Sequence, residues 1–569
     1  MMKRITPWIV VPVIAFLVYI SFRHIGGIYL FNDEWGQLGS TYVYGVSASL
    51  QEHLFFLLLG KNRVVGTFIN NLLFVRFSDN VLPFVLIGLV VHVINSVLLY
   101  VIAQKITKSE FVGFIASVFF ATASVSHQVF TWSAATIQTT GSMLFWLLSL
   151  LSGVSYARSR HLRWLFAALV SSYIAFLFKD NTIVLLPLLF ILPFFIESDK
   201  KIPYRLSILS SISMIVGVIG VAIYKIVGYY ALTQESIKDP AQIYAFIRFI
   251  INCFIYPLVT IPHIFVPFQF MLRAAHALGT YYSFLDKPPF AGVVTEILSE
   301  KIFADFLSVL LAAGMVFIAL WLYRKESSFR KLTPFLIWMY LLNFIPIALF
   351  LNERNTSYIE SRYLYFCIPP VAIFTGILLH KARRMLSKYL KIGMWVGTFV
   401  VLILFSFYTY KHISVIQREV AKVVGQSEDE RNALDQFLTL RPTLPPNPVI
   451  LLEGDSYFYV GIPVPFQLGP GYILMVKYFP IDVIPKELLV GTKEMYYPFF
   501  YNYFDEGYRV IDGKGFGFFL DRTKLRDFMK SHPEISYEQI VGFKYFGNEK
   551  KLRDITPEIV EYLSFPIQY

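Results

Sequence analysis

Apolar runs long enough to cross a membrane recur along the first 410 residues of the chain. The hydrocarbon core of a bilayer is about 30 Å thick, so a spanning helix needs about 20 predominantly apolar residues. Of all 569 residues, 56% are hydrophobic and only 15% are charged, whereas soluble domains carry roughly a quarter charged residues. These features exclude a cytosolic globular enzyme, a disordered chain and a disulfide-stapled secreted domain. They predict a polytopic α-helical membrane protein.

The first apolar stretch, from Trp8 to about Ile20, follows two basic residues and precedes no small-residue cleavage site. We interpret it as an uncleaved signal anchor. Ten further spans are predicted at about 81–103, 111–125, 135–155, 164–178, 181–196, 206–228, 302–323, 333–351, 363–380 and 391–410. About eleven transmembrane helices would place the amino terminus in the cytoplasm and everything after residue 411 outside.

The distribution of basic residues agrees with this topology. The short loops predicted to be cytoplasmic contain 19 of the 50 Lys and Arg residues but only four acidic residues. A basic surplus in short loops on one side of a membrane is the positive-inside pattern. The net charge of +12 therefore indicates membrane topology and no nucleic-acid partner.

Two predicted outer segments are too long to be simple connections. Residues 29–80 contain an amphipathic stretch suited to the membrane interface, and 229–301 contain an apolar stretch that the charge topology does not allow to cross once. Helices along the membrane or a re-entrant pair would satisfy both constraints there. After residue 411 the chain becomes charged, breaks at a proline-rich segment and continues with short strand-like runs. We therefore predict a transmembrane catalytic domain over 1–410 and a small soluble extracytoplasmic α/β domain over 411–569.

Several polar clusters lie at the predicted outer ends of the spans. Asp33 and Glu34 follow the first span directly, where a carboxylate beside aromatic residues would serve as a general base. The alternative is a solvated acidic helix cap. The other candidates are each open to a simpler interpretation as interface anchors or packing residues; they are Arg63, His127, Gln128, Lys179, Asp180, Glu360, Arg362 and Tyr363.

Taken in order, these clusters resemble the GT-C superfamily of membrane glycosyltransferases, and most closely the transmembrane O-mannosyltransferases that carry tetratricopeptide repeats. The likeness rests on an acidic pair after the first span, an Arg before the second span and a His within it, and a Lys next to an acid before a later span. These features correspond to Asp33-Glu34, Arg63, His92 and Lys179-Asp180. Two longer motifs of the family resemble FATASVSHQVFTW at 120–132 and SRYLYFCIP at 361–369.

The chain also departs from the family pattern. Gln128 stands where the family has a second acid, and Ala123 and Ser126 stand where it has histidines. Ser361 precedes Arg362 in place of the family's glutamate, and Glu360 lies one residue earlier. The carboxy-terminal region has no repeat array, so the acceptor of the family does not carry over. The absence of repeats favours a bacterial protein of the inner (cell) membrane.

The resemblance implies transfer of a sugar from a polyprenyl-phosphate donor to an acceptor hydroxyl at the extracytoplasmic face, with inversion. Asp33 would be the catalytic base, with Glu34 beside it, and Arg362, Lys179 and Arg63 would bind the donor phosphate. Five residues would position the substrates, namely His127, Gln128, Asp180, Glu360 and Tyr363. The acceptor would be a glycan, a lipid or a protein. The resemblance favours a reaction without a cofactor or metal, although two adjacent carboxylates would also suit a divalent ion.

Two other functions compete with this one. A glycan polymerase or an O-antigen ligase would concentrate its functional residues in one large outer loop, and 229–301 contains Arg248, His263, Arg273 and His276. The position of Asp33 directly after the first span argues against that alternative. A lipid or glycan transporter with a soluble accessory domain would have no need of Asp33 as a base.

Overall fold

The computed structural model describes residues 7–30, 33–51, 63–195, 204–213, 215, 240–281, 296–325, 330, 332–350, 361–391, 393–454, 470–479, 507–511 and 513–565. The described part of the chain is mainly helical and carries one small sheet near the carboxyl end. The first nine helices are α1 Pro7–Phe22, α2 Asp33–Gln51, α3 Val64–Phe77, α4 Leu82–Thr107, α5 Glu110–Thr122, α6 His127–Thr131, α7 Ser133–Ser159, α8 Leu162–Phe178 and α9 Leu185–Phe195. The next six helices are α10 Pro240–Phe265, α11 Phe268–Tyr281, α12 Glu296–Lys325, α13 Leu332–Phe350, α14 Ile368–Tyr389 and α15 Met394–Leu440.

Several of these helices suit a bilayer. Within the described ranges, five helices are long and apolar enough to cross a membrane, or up to seven if each of two bent helix pairs forms one span. The prediction of an integral membrane protein is thereby supported, whereas the number of eleven spans stays a prediction. The span expected at 206–228 lies largely outside the described residues.

Helix α7 forms the centre of the membrane part, where it packs against α4 and α8. Its sequence is rich in small residues, which allow helices in a membrane to approach closely. Ser142 Oγ and Ser149 Oγ donate to backbone carbonyl groups of α8 at 2.9 and 2.8 Å, and Asn95 of α4 donates to the Thr140 carbonyl at 3.0 Å. Close packing and interhelical hydrogen bonds therefore hold α7 between its neighbours.

The long segment predicted between residues 229 and 301 contains a sharply bent helix pair. Residues Asn252–Phe265 of α10 and Phe268–Ala277 of α11 meet at an angle of 103°. The bend lies at Val266-Pro267, where proline removes a backbone donor and restricts the chain. A bend of this size is typical of a broken span or a re-entrant segment, which agrees with one of the two expected arrangements.

Helix α15 joins the membrane part to the carboxy-terminal part. It has 47 residues, which at about 1.5 Å per residue gives about 70 Å, more than twice the thickness of a bilayer core. Its apolar portion ends near residue 410 and its charged portion continues without a break. The predicted boundary at 410/411 therefore falls inside a continuous helix.

The carboxy-terminal sheet has five strands in the order β2-β3-β1-β4-β5. Its strands are β1 Val449–Gly454, β2 Gly507–Ile511, β3 Lys514–Phe519, β4 Ile540–Phe546 and β5 Lys551–Asp554. Strands β3 and β4 flank β1 in parallel, and the two edge strands are antiparallel to their neighbours. Three helices accompany the sheet, namely α16 Pro470–Tyr478, α17 Arg522–Ser531 and α18 Thr556–Ser564. The predicted strand PVILLEG corresponds to β1, and the small α/β unit is present.

The two faces of the sheet are covered differently. Leu451 and Ile540 pack with residues of α17 and α18. On the opposite side, Phe437 of α15 contacts Phe543 of β4 with ring centroids 4.7 Å apart. Arg441, at the end of α15, forms an ion pair with Asp554 at 2.6 Å. The charged half of α15 is therefore itself one helical layer of the carboxy-terminal unit.

A second connection links this unit to the membrane part. Lys477 Nζ of α16 lies 2.6 Å from a carboxylate oxygen of Asp79, and the Tyr29 hydroxyl donates to the same oxygen at 2.7 Å. Burial opposes ionisation of Asp79, but the hydrogen bonds from Lys477 and Tyr29 outweigh it and hold the pKa of this carboxyl below its usual value. The three side chains anchor the carboxy-terminal unit beside helix α2.

The packing of α5 on α4 generates a testable prediction. A Cβ atom added at Gly113 would lie 2.8 Å from the Tyr100 carbonyl oxygen, so Gly113→Ala forces the two helices apart. Overpacking of this kind costs about 1–3 kcal/mol, and we expect a lower midpoint of thermal unfolding in lipid nanodiscs. Gly314→Ala is the matched control, because an added Cβ there meets no described atom within 4 Å. Equal midpoints for the two variants would contradict the close approach of α4 and α5.

Candidate active site

The amino terminus of α7 is bonded to a buried carboxylate. Glu34 Oε1 accepts hydrogen bonds from the Ser133 hydroxyl at 2.6 Å and from the Ala134 N–H at 2.9 Å, and Glu34 is fully buried. The first N–H groups of a helix have no partner within the helix, and the helix dipole favours a negative charge there. Glu34 therefore caps α7 from the first turn of α2.

A 3₁₀ segment, Ser361–Cys367, lies against α6 and brings two of the predicted clusters together. The Arg362 backbone N–H donates to Gln128 Oε1 at 3.3 Å. The Arg362 guanidinium carbon lies 3.6 Å from the centroid of the Trp132 ring, and the Tyr363 ring centroid is 5.2 Å away. The Trp132 ring thereby supports the arginine through a cation–π contact.

His127 of α6 contacts the same 3₁₀ segment. Its Nδ1 is 2.8 Å from the Ser124 carbonyl oxygen and 3.5 Å from the Ser361 hydroxyl. His127 and Ser361 also line a cavity of about 30 Å³ together with His263 and Phe268 of the α10–α11 bend. The structure thus brings His127 and Gln128 next to the segment that carries Arg362.

Two predicted phosphate ligands bond to the second turn of α7. Lys179 Nζ donates to Thr139 Oγ1 at 2.9 Å and lies 5.8 Å from the Phe366 ring centroid. Arg63 Nη1 donates to Gln138 Oε1 at 3.1 Å. Both cations therefore lie near the amino end of α7, the end that Glu34 caps.

Three predicted site residues carry side chains outside the described part of the structure. Asp33 is the first residue of α2, and Asp180 begins the 3₁₀ segment Asp180–Val184, but the structure describes neither side chain. Glu360 falls in the undescribed range 351–360. The roles of these three residues stay predictions.

His92 makes packing contacts in the interior of the membrane part. Its Nδ1 is 2.7 Å from the Tyr365 hydroxyl and its Nε2 is 3.2 Å from the Ala121 carbonyl oxygen. The ring is fully buried between α4, α5 and the 3₁₀ segment Ser361–Cys367. His92 therefore fixes the position of the segment that carries Arg362.

Sequence reasoning missed one residue close to the acidic pair. The Trp35 indole Nε1 donates to Glu430 Oε1 at 3.0 Å, and both side chains are buried. Burial raises the pKa of Glu430 to about 8, and the nearby Glu34 carboxylate acts in the same direction. In the sequence, Glu430 belongs to the charged run SEDER, in which every residue looks solvated, so no local signal distinguishes it.

Metal binding receives no support from the described side chains. Among them, no group of three or more His, Cys, Asp or Glu residues is arranged to hold a metal ion. Since the Asp33 side chain is outside this set, the expectation of a metal-independent reaction stays a prediction.

The comparison with known proteins agrees with the expected family. Residues 63–230 match the family model described as dolichyl-phosphate-mannose-protein mannosyltransferase. The matched range includes Arg63, Gln128 and Lys179, and it ends well before Arg362. No curated protein matches the chain. The resemblance to GT-C glycosyltransferases is thereby confirmed over this range, and it supports a membrane glycosyltransferase.

The raised pKa of Glu430 predicts a dependence of stability on pH. Between about pH 4.5 and pH 8 the folded protein retains a proton on Glu430 that the unfolded chain has lost, so the contribution of this group to stability falls as the pH rises through that range. Glu430→Gln removes the titration. We expect the unfolding midpoint of E430Q, relative to wild type, to increase by several degrees from pH 5 to pH 8.

The matched control is Glu428→Gln, because Glu428 is exposed on the same helix. Its unfolding midpoint should follow that of the wild type at every pH. A constant difference between E430Q and wild type over the whole range would show that Glu430 titrates normally.

Proposed function

From this glycosyltransferase resemblance and the geometry above, we propose that the protein transfers a sugar from a polyprenyl-phosphate donor to an acceptor hydroxyl at the extracytoplasmic face, with inversion. One observation carries the proposal, namely the convergence of four elements on the amino-terminal turns of α7. The acid-bearing helix α2 contacts them through Glu34, and Lys179 and Arg63 contact them directly. The Arg362 segment contacts the same region through Trp132.

The arginine and the lysine suit the donor phosphate. A guanidinium group is planar and presents its N–H groups at its edge in a geometry that matches phosphate oxygens, and the Trp132 ring supports the Arg362 guanidinium at 3.6 Å. Lys179 supplies a buried point charge near the same α7 turns. When the bond from the sugar to the phosphate breaks, negative charge grows on the leaving polyprenyl phosphate, and both cations would stabilise it.

The two carboxylates of the acidic pair divide their roles in this proposal. Glu34 is committed to the α7 terminus through two hydrogen bonds, and so it holds the first turn of α2 in place. Asp33, the preceding residue, would accept the proton of the acceptor hydroxyl while the hydroxyl oxygen attacks the anomeric carbon. The carbon–phosphate oxygen bond breaks in the same displacement, which inverts the anomeric centre.

An apolar groove supports a lipid-linked donor. A cavity of about 510 Å³ between α10, α12, α13 and α14 is lined almost wholly by hydrophobic side chains. Its volume lies within the usual range for ligand pockets, and a polyprenyl chain requires an apolar surface of this kind. Pro370 and Val371 line the groove and follow Arg362 by only eight and nine residues. The tail of the donor would therefore lie close to the segment that binds its phosphate.

The arrangement of the long segment disfavours the polymerase or ligase alternative. His263 is buried and bonds to Ser308 at 3.3 Å, whereas Arg273 and His276 are exposed on the next helix. His263 therefore lies in a different environment from Arg273 and His276, which disfavours one shared active site built from this segment. The acceptor, whether a glycan, a lipid or a protein, is left open by this proposal.

The role of Asp33 predicts a loss of turnover. Asp33→Asn removes the general base, which typically contributes a factor of about 10² to 10⁴, so kcat for sugar transfer in vesicles should fall at least 100-fold. Asp527→Asn is the control, because Asp527 is an exposed residue of α17. Substantial transfer by D33N at wild-type expression would place the base elsewhere.

The role of Arg362 predicts a defect in donor use. Arg362→Ala removes a charged contact to the phosphate, which corresponds to an increase of about 10-fold or more in the KM for the polyprenyl-phosphate sugar. Arg273→Ala is the matched control, because Arg273 is exposed on α11, within the segment 229–301 on which the ligase alternative depends. An unchanged donor KM for R362A, or a defect only in R273A, would remove Arg362 from the donor site.

A further inference from the structure

Glu430 lies far from the membrane-spanning part of its helix. About 20 residues, or about 30 Å of helix, separate it from the end of the apolar portion of α15. It is nevertheless 5% exposed, and its partner Trp35 is 1% exposed. A carboxyl group that is buried in a soluble region is costly unless it is neutral or well bonded, so its position requires a physical reason.

Burial and the charge of Glu34 favour the protonated form of Glu430, and together they outweigh the hydrogen bond from Trp35, which favours the ionised form. Glu34 lies on the same turn of α2 as Trp35 and raises the pKa of Glu430, in addition to the larger effect of burial. Tyr29 lies between α1 and α2, and the charge of Glu430 contributes to the raised pKa of its hydroxyl. Arg431, the next residue of α15, is directed to Tyr29, with its guanidinium carbon 4.7 Å from the ring centroid. The neighbouring cation thus stacks on Tyr29, and Trp35 bonds to Glu430.

A short series of contacts connects Glu430 to the reacting groups. Trp35 follows Glu34 directly, so its indole and the carboxylate that caps α7 belong to one helical turn. Asp33 begins the same turn. The Trp35 ring also packs against Tyr29, with centroids 5.7 Å apart, and Tyr29 belongs to the Asp79–Lys477 anchor. Residues of the carboxy-terminal part, namely Glu430 and Lys477, therefore help to hold the turn that carries the acidic pair.

We propose that Glu430 is a positioning residue for the transfer reaction: its buried carboxyl group accepts the Trp35 N–H and holds the first turn of α2, with Asp33, in the catalytic arrangement. This inference rests on the proposed glycosyltransferase function. It assigns the carboxy-terminal half of α15 a direct part in turnover, in addition to its part in the fold. The donor phosphate contacts are not involved, so the role concerns kcat and not donor binding.

The test compares three variants of the full-length protein in vesicles, with a radiolabelled polyprenyl-phosphate sugar as donor. Glu430→Ala removes the acceptor and should lower kcat at pH 7 at least 10-fold while the donor KM changes less than threefold. Glu430→Gln keeps a neutral carbonyl acceptor and should restore kcat to within about threefold of wild type. Glu428→Ala, on the exposed side of the same helix, is the matched control and should retain wild-type kcat.

Two further readouts separate positioning from a general loss of structure. Trp35→Phe keeps an aromatic ring but removes the N–H donor, and the double variant with Glu430→Ala should be no slower than either single variant, because both remove one interaction. Raising the pH from 7 to 9 favours the ionised form of Glu430, and its repulsion from Glu34 then opposes the arrangement of the turn, so the kcat of wild type should fall relative to that of E430Q.

The outcomes distinguish this inference from the proposed function. No transfer by the wild-type protein with any polyprenyl-phosphate sugar would overturn both. Transfer by the wild type together with full kcat in E430A would overturn the positioning role alone. Equal losses in E430Q and E430A, at a wild-type unfolding midpoint, would also overturn it, because a neutral acceptor would then not be what the turn requires.

Discussion

The capping of α7 by the buried Glu34 carboxylate is the interaction on which the candidate site depends. Glu34 ties the first turn of α2 to a helix terminus that otherwise has unsatisfied N–H groups. The second turn of α7 forms hydrogen bonds with Lys179 and Arg63. Trp132, which directly precedes α7, supports Arg362. Loss of this carboxylate would release α2 and α7 from each other, which would separate the acidic pair from the cationic groups.

The carboxy-terminal unit is part of this arrangement and not an appendage to it. Helix α15 crosses from the apolar region into the sheet without a break, and its Phe437 packs on the sheet while its Glu430 contacts Trp35. The Lys477–Asp79 ion pair adds a second connection. A continuous helix is stiff, so the position of the sheet is coupled to the position of the acid-bearing turn.

Local patterns were sufficient for most of the secondary structure and for several site residues. Apolar runs predicted α4, α7 and α12, because a spanning helix is apolar whether its side chains face lipid or protein, and PVILLEG predicted β1, whose side chains are mostly buried. The SRYLYFCIP motif led to Arg362 through a family resemblance. The contact between Trp35 and Glu430 joins residues 395 positions apart, so neither neighbourhood reveals it. The continuity of α15 was missed because the composition changes at residue 410 although the helix does not end.

Photochemical labelling tests the location of the donor site most directly. A polyprenyl-phosphate sugar with a photoreactive group on the sugar would be irradiated with the protein in vesicles, and the adducts mapped by mass spectrometry. We expect adducts in the peptides that contain 124–132 and 361–367, and we expect excess unlabelled donor to remove them. Competed adducts confined to the basic segments 156–164 and 380–391, at the opposite ends of α7 and α14, would contradict this location of the donor site.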